Sequence, residues 1–348
     1  TPMERINVAH STGEYTIYAG EGILGDALRD FFAENRYDRI CVVSDSNVWS
    51  LHGETLTAAM SGAGVTAADV NVFPAGETSK CIGTVVKMYE TFTKASLTRH
   101  SLVIAFGGGV CGDMAGFAAA TYLRGIDVVQ IPTTLLSQID SSIGGKTGVD
   151  LAAGKNLVGA FKQPRAVIAD ADFLKTLPQR YINDGMGEAI KYGCIADPEL
   201  FYAIGSKTIG MGDMIARCMK IKAKYVMEDE FEKGVRIHLN FGHTFGHAVE
   251  KLGGYKRYSH GEAVGIGMLI AAQLSWRFGY PLYYKEIKNT LDAWALPTVN
   301  DYSGSDMMKV VTSDKKRVGN EISLVLLEDL GKPVVQRVPI YQLIELIG

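Results

Sequence analysis

From the N-terminus to about residue 170, short apolar runs rich in β-branched residues alternate with segments of helical periodicity. The runs at 39–44, 70–73, 102–106, 128–132 and 166–170 predict strands, and 56–61, 84–94 and 113–122 predict helices between them. Such alternation builds βαβ units and a mostly parallel sheet. Past residue 178 the pattern changes to helices with short Gly or Pro breaks, at 179–192, 199–204, 211–227, 241–252, 262–278 and 284–295. An apolar pair at 322–327 and 333–338 suits a closing hairpin. The expected architecture is α/β plus all-α, with a sheet domain over 1–175 and an α-helical domain over 176–348. The boundary falls near 171–180, and a ligand site is expected in the cleft between the halves, where such sites concentrate.

Composition narrows the class. The 348 residues, 47% hydrophobic, suffice for two cores. A net charge of -3 gives no electrostatic reason to expect nucleic acid or an anionic membrane as partner. Cys41, Cys81, Cys111, Cys194 and Cys218 are odd in number, show no C-x-x-C spacing and sit in apolar surroundings, so they read as reduced thiols of a cytosolic protein. No secretory leader pattern opens the chain, and the longest apolar run, near 264–274, is too short to span a bilayer. The expected location is the cytoplasm.

The chemistry concentrates at 236–262, which holds four of the seven histidines. His243 and His247 are four apart in a predicted helix and project from one face. His260 opens the next helix, which can fold back toward them. Imidazoles so grouped suit zinc or a similar divalent ion, and burying them unsatisfied would be costly. Thr244 stands where H-E-x-x-H would carry its glutamate, which disfavours a zinc protease. Glu188 could add a ligand, cap a helix or pair with Lys191. Glu232, Arg236 and Asn240 recur every four residues; in a helix they would share a face with the histidines or form a solvated ion-pair stripe. In the first half, 106–113 (F-G-G-G-V-C-G-D) follows a buried strand and opens a helix, a place for an anion or a tight turn. Asp45 could accept from a ribose hydroxyl or cap a helix. The stretch 140–147 ends in Gly-Lys-Thr, but Asp140 occupies the first glycine of a P-loop, so that motif fails. Lys146, Lys155 and Asn156 on a Gly-rich hairpin suit a phosphate or carboxylate. The charge run at 314–317 reads as a solvated loop.

Taken together, the stretches 107–125, 132–150, 154–159, 187–193, 240–250 and 260–268 resemble the 3-dehydroquinate synthase family over nearly the whole chain. The resemblance implies a Rossmann-like NAD-binding domain and a C-terminal α-helical metal-binding domain that holds zinc, or cobalt in its place. It implies Glu188, His243 and His260 as metal ligands, with His247 moved to substrate contact and proton relay. The implied NAD positions are Asp45, Asn47, Glu77, Lys80, Gly108, Gly109, Asp113, Thr133 and Thr134, with Asp140, Lys155, Phe173, Thr176 and Leu177. Asp140, Lys146, Lys155, Asn156, Lys222, Arg236, Asn240 and Lys316, or Lys315 beside it, would surround a sugar phosphate, with Glu232 organising the basic groups and Arg124 contributed from its own or the partner subunit of a homodimer. The implied activity is an NAD- and metal-dependent lyase of aromatic biosynthesis. It would turn 3-deoxy-D-arabino-heptulosonate 7-phosphate into 3-dehydroquinate and phosphate. Related cyclases acting on glucose 6-phosphate, and metal-dependent glycerol or alcohol dehydrogenases, share this plan.

Overall fold

The computed structural model describes residues 2–313 and 319–348. The charge run at 314–317, and Lys316 with it, lies outside the described residues. The chain forms two compact units, Thr1–Pro178 with Met211–Phe231, and Gln179–Gly210 with Glu232–Gly348.

The first unit opens with an antiparallel hairpin, β1 (Glu4–His10) and β2 (Gly13–Gly20), followed by α1 (Leu24–Glu34). The sequence reading anticipated none of these three, and β1 shows why: Val8 is its one buried residue. Next come β3 (Ile40–Asp45), α2 (Ser46–Gly62), β4 (Asp69–Phe73), α3 (Ile82–Lys94), β5 (Leu102–Gly107), α4 (Gly109–Thr121) and β6 (Asp127–Pro132). A separate hairpin, β7 (Lys146–Leu151) and β8 (Gly154–Phe161), precedes β9 (Ala166–Asp170). The main sheet has the order β1-β2-β9-β6-β5-β3-β4 and is parallel apart from β1–β2. β5 is buried at all six positions, as a strand covered on both faces must be. One face is covered by Leu28, Phe31, Leu56 and Met60 of α1 and α2, the other by Met88, Phe92, Met114 and Ala118 of α3 and α4.

This strand order places a switch point between β3 and β5. From β3 the chain runs outward to β4, and from β5 it runs the other way to β6. The carboxyl ends of β3 and β5, Asp45 and Gly107, therefore flank the crevice where open parallel sheets bind ligands.

The helical part begins with α5 (Gln179–Ala196) and α6 (Pro198–Ser206). α7 (Met211–Glu228) returns to the first unit, where it packs on β1, β2 and the π turn at Ser137–Ser141. A single cut at 175/176 would assign α7 to the wrong compact unit. The second unit continues with α8 (His243–Leu252), α9 (His260–Arg277), α10 (Tyr284–Ala293), α11 (Gly304–Ser313), the antiparallel hairpin β10 (Glu321–Asp329) and β11 (Lys332–Pro339), and α12 (Ile340–Ile347). No described helix is long and apolar enough to cross a membrane.

Three helices of this unit meet through glycines. A Cβ on Gly187 of α5 would lie 2.5 Å from the Gly261 carbonyl oxygen, and one on Gly261 of α9 would lie 1.8 Å from that of Asp184. Gly242, with φ of +78°, and Gly267 make an equally close approach at the start of α8, where a Cβ on Gly267 would lie 1.9 Å from the Gly242 carbonyl oxygen. α9 begins with a capping box in which Ser259 and Glu262 satisfy each other's backbone N–H groups.

A candidate metal centre and a candidate nucleotide cradle

The glycine crossings bring one residue from each of three helices to a common point. Glu188 follows Gly187, His260 precedes Gly261, and His243 follows Gly242. The Glu188 Oε1 atom is 2.9 Å from His243 Nε2 and 2.7 Å from His260 Nε2. One ligand atom from each residue fits within a 4.8 Å spread. Glu188 is fully buried, and its other oxygen receives an ion pair from Lys191 Nζ at 2.5 Å. Burial would raise the Glu188 pKa, but Lys191 and His243 hold it well below the usual carboxylate range. Burial likewise opposes the His260 cation; hydrogen bonds to Glu188 and Glu250 more than reverse this and leave its pKa well above the ordinary imidazole value. Both imidazoles have their Nδ1 atoms engaged elsewhere, His243 with the Phe241 carbonyl at 3.0 Å and His260 with Glu250 at 2.9 Å. One carboxylate and two imidazole nitrogens directed at one point are the donor set that zinc and similar ions take, so the residues present fit a divalent metal.

The i,i+4 histidine pair does not converge in the same way. His247 is exposed, its ring 5.5 Å from that of His243 and 6.4 Å from that of His260. The four-residue stripe of Glu232, Arg236 and Asn240 does not form either. Val235–Asn240 is a 3-10 helix, and Glu232 lies before it in a left-handed conformation, φ 59°. At three residues per turn, positions four apart are about 120° apart rather than on one face. Arg236 is buried, 2% exposed.

In the first unit, Lys80 is the hub. Its Nζ donates to Asp113 Oδ2 and Asn156 Oδ1, both at 2.8 Å. Burial opposes the Lys80 cation, yet Asp113 holds its pKa above the ordinary value. Lys155 pairs with Glu77 at 3.5 Å, and burial pushes the Glu77 carboxyl up. Lys222 of α7 reaches Asp140 on the π turn, with 2.5 Å to both the carbonyl and Oδ1. Asp45 caps α2 by accepting from Asn47 and Val48 at 2.9 Å, which is the ordinary one of its two readings; its other oxygen would lie 3.4 Å from a Cβ on Gly107. Space at the start of α4 depends on missing side chains. A Cβ on Gly108 would stand 3.1 Å from Thr134, and one on Gly109 would stand 3.1 Å from the Ser141 hydroxyl. The Thr133 hydroxyl is buried with no hydrogen-bond partner among the described residues. A cleared backbone at a helix start beside an orphaned donor fits a bound pyrophosphate.

The remaining expected residues lie elsewhere in the first unit. Phe173 is buried, edge-on to His52 at 5.0 Å and Phe106 at 5.4 Å, while Thr176 bonds His52 at 2.7 Å and Leu177 follows it. Lys146 begins β7, on its exposed side. Arg124 is exposed with φ 64°, directly after Leu123 at φ 50°, a pair of left-handed residues without glycine. Two contributors escaped the sequence reading. Lys191 entered it only as an ion-pair partner, although its i+3 spacing from Glu188 was visible, and Glu250 stood unremarked at the i+7 position from His243.

The family model described as 3-dehydroquinate synthase N-terminal matches residues 70–184, and the one described as 3-dehydroquinate synthase C-terminal matches residues 185–317. The 3-dehydroquinate synthase of Alkaliphilus metalliredigens is 41% identical over 347 residues, covering 97% of this chain and 95% of the relative. A solved 2-deoxy-scyllo-inosose synthase, complexed with carbaglucose-6-phosphate, NAD+ and Co2+, superposes with a TM-score of 0.86 at 26% identity, covering 99% of each chain. The 2-epi-5-epi-valiolone synthase of Streptomyces hygroscopicus subsp. jinggangensis, with NAD+ and Zn2+ bound, gives a TM-score of 0.84 at 26% identity, covering 98% of this chain and 97% of that one. With both halves matched in order and full-length identity well beyond what a shared fold alone requires, the chain belongs to the 3-dehydroquinate synthase family.

Proposed function

We propose that this chain converts 3-deoxy-D-arabino-heptulosonate 7-phosphate to 3-dehydroquinate and inorganic phosphate, with NAD and a divalent metal, zinc by preference, as cofactors. The observation that carries the reading is the meeting of Glu188 Oε1 with His243 Nε2 and His260 Nε2 in a chain that matches this family from end to end. When bound, NAD takes and returns a hydride, and the metal polarises the substrate's alcohol and ketone oxygens. Glu188, His243 and His260 hold the metal. Gly108, Gly109, Thr133, Thr134 and Asp45 line the NAD side, with Asn47, Glu77, Phe173, Thr176 and Leu177.

The basic residues bind and orient the substrate. Lys146, Lys155, Lys222 and Arg236 suit its phosphate and carboxylate, since charge-assisted bonds from lysine and arginine to such groups are the strong ones. Lys80 and Asp113 offer a charged pair that can exchange partners with an incoming ligand, with Asn156 as the neutral third member. Asp140 pairs with Lys222 and fixes its Nζ. His247, exposed beside His243, would pass a proton, and Asn240 and Glu232 would complete the polar surround. Arg124 is the residue a partner subunit would supply in a homodimer.

The test is phosphate release from this substrate by metal-loaded protein with catalytic NAD, followed at the reduced-cofactor band. Equal amounts of phosphate and dehydroquinate without net NADH support the reading. Phosphate release from glucose 6-phosphate instead would transfer it to a 2-deoxy-scyllo-inosose synthase type of cyclase. NADH accumulating with glycerol or a simple alcohol would transfer it to a dehydrogenase.

A further inference from the structure

Glu250 occupies the same stripe of α8 as His243 and His247, at i, i+4 and i+7. It is mostly withdrawn from water, its side chain 13% exposed, and its neighbours Ala248 and Val249 are fully buried. Its Oε1 stands 2.9 Å from His260 Nδ1, while His260 Nε2 stands 2.7 Å from Glu188 Oε1. His243 shows the same two-ended arrangement with a neutral acceptor, the Phe241 carbonyl. The two rings therefore differ in one respect: one rests on a peptide oxygen of its own segment, the other on a carboxylate delivered by a different helix.

We propose that Glu250 is a positioning residue for the metal centre: by accepting from His260 Nδ1 it fixes the rotation and tautomer of that ring, so that Nε2 carries the lone pair offered to a divalent ion. Without an acceptor at Nδ1, a half-turn about Cβ–Cγ would put Cε1 where Nε2 now points, and the proton would be free to sit on either nitrogen. A carboxylate acceptor also makes the imidazole a better donor than a carbonyl does. A simple tie between α8 and α9 is not what Glu250 is needed for, because those helices are already locked by the Gly242–Gly267 approach and by Gly246, where a Cβ would lie 3.2 Å from Val264 Cα. The inference rests on the metal reading and adds the residue that orients one ligand.

The test compares wild-type protein, Glu250→Ala and Glu250→Gln, each stripped of metal and titrated with Zn2+ against a chromophoric chelator, with Co2+ absorption spectra recorded in parallel. Glu250→Ala is expected to weaken zinc binding by about 10- to 100-fold and to shift the cobalt bands. Glu250→Gln, whose amide oxygen still accepts, should recover most of that affinity. Equal zinc affinity and identical cobalt spectra in all three proteins would overturn the proposal. If Glu250→Ala does not fold, nitrogen-15 NMR of zinc-loaded wild type decides: the proton on His260 Nδ1 supports the proposal, and zinc on Nδ1 overturns it. Wild-type protein that binds no zinc would overturn the metal reading itself, an outcome distinct from a wild type that binds while the variants bind equally well.

Discussion

The acid–imidazole cluster of the second unit and the lysine cluster of the first treat buried charge in opposite ways. Around Glu188 the metal-donor atoms converge: one carboxylate oxygen faces two imidazoles, Lys191 occupies the other oxygen, and a second carboxylate backs His260. Around Lys80 the charges are already matched, cation to Asp113 and to an amide oxygen. The difference teaches what each can do. Converging donors held by helix crossings suit a small cation, whereas a self-paired lysine would have to exchange its partners to receive an anion. Rigidity suits the first task and adaptability the second.

Removing the convergent atom should have the largest effect. Glu188→Ala is expected to abolish stoichiometric zinc binding and to lower phosphate release by more than the roughly 10- to 100-fold that loss of an outer-shell partner causes. It also strands Lys191 in the interior, at about 3–5 kcal/mol of stability. Metal analysis and denaturant melts read the two effects separately, and a variant that keeps its zinc would break the contrast drawn above. In the lysine cluster, Lys80→Met should cost a comparable 3–5 kcal/mol or so by leaving Asp113 unpaired, and the double variant with Asp113→Asn should recover most of it. Melts of both proteins decide; no recovery would mean the pair is not the unit that matters. Gly261→Ala tests the rigidity side. Its Cβ cannot be accommodated without moving α5 from α9, so stability should fall by about 1–3 kcal/mol, with zinc affinity falling alongside.

The smallest effect sharpens the description of the first unit without disturbing it. The Thr84 hydroxyl holds the Cys81 thiol below its ordinary pKa, whereas burial pushes Cys41 up to about 12 and raises Cys111 and Cys194. A lowered pKa means thiolate persists at lower pH, so iodoacetamide labelling of the folded protein near neutral pH should be confined to Cys81. Its rate should decline only as pH drops through that lowered value. Thr84→Val should slow labelling; mass mapping of modified peptides is the readout, and modification of Cys111 at a similar rate would contradict the burial described here.

Local pattern carried the βαβ alternation, the late hairpin and the helices that hold His243, His260 and Glu188, because periodicity and capping are written within a few residues. The Ser259–Glu262 box is equally local, although the predicted helix begins only at residue 262. What failed depended on distant partners. α2 begins at Ser46 rather than residue 56 because Asp45 caps it, and the same carboxylate had a competing role that sequence could not decide. The Glu232–Asn240 stripe assumed an α-helical pitch that the 3-10 segment lacks. The i,i+4 histidines looked like a ligand pair by spacing, whereas the glycine crossings select His243 with residues from two other helices. Those crossings are legible as glycines next to each candidate ligand, but only once the helices are seen to touch there.

The return of α7 to the first unit has a consequence for how this protein could be divided. The two family models meet at 184/185, a single seam between consecutive segments. Its compact units do not follow that seam: an N-terminal fragment ending there would leave out Lys222, which holds Asp140, and Lys220, which pairs with Glu4. One cut divides the sequence at that seam, but no single cut separates the two compact units. A fragment meant to stand alone as the sheet unit would have to excise 179–210 and rejoin the chain, in the manner of a guest sequence removed from its host.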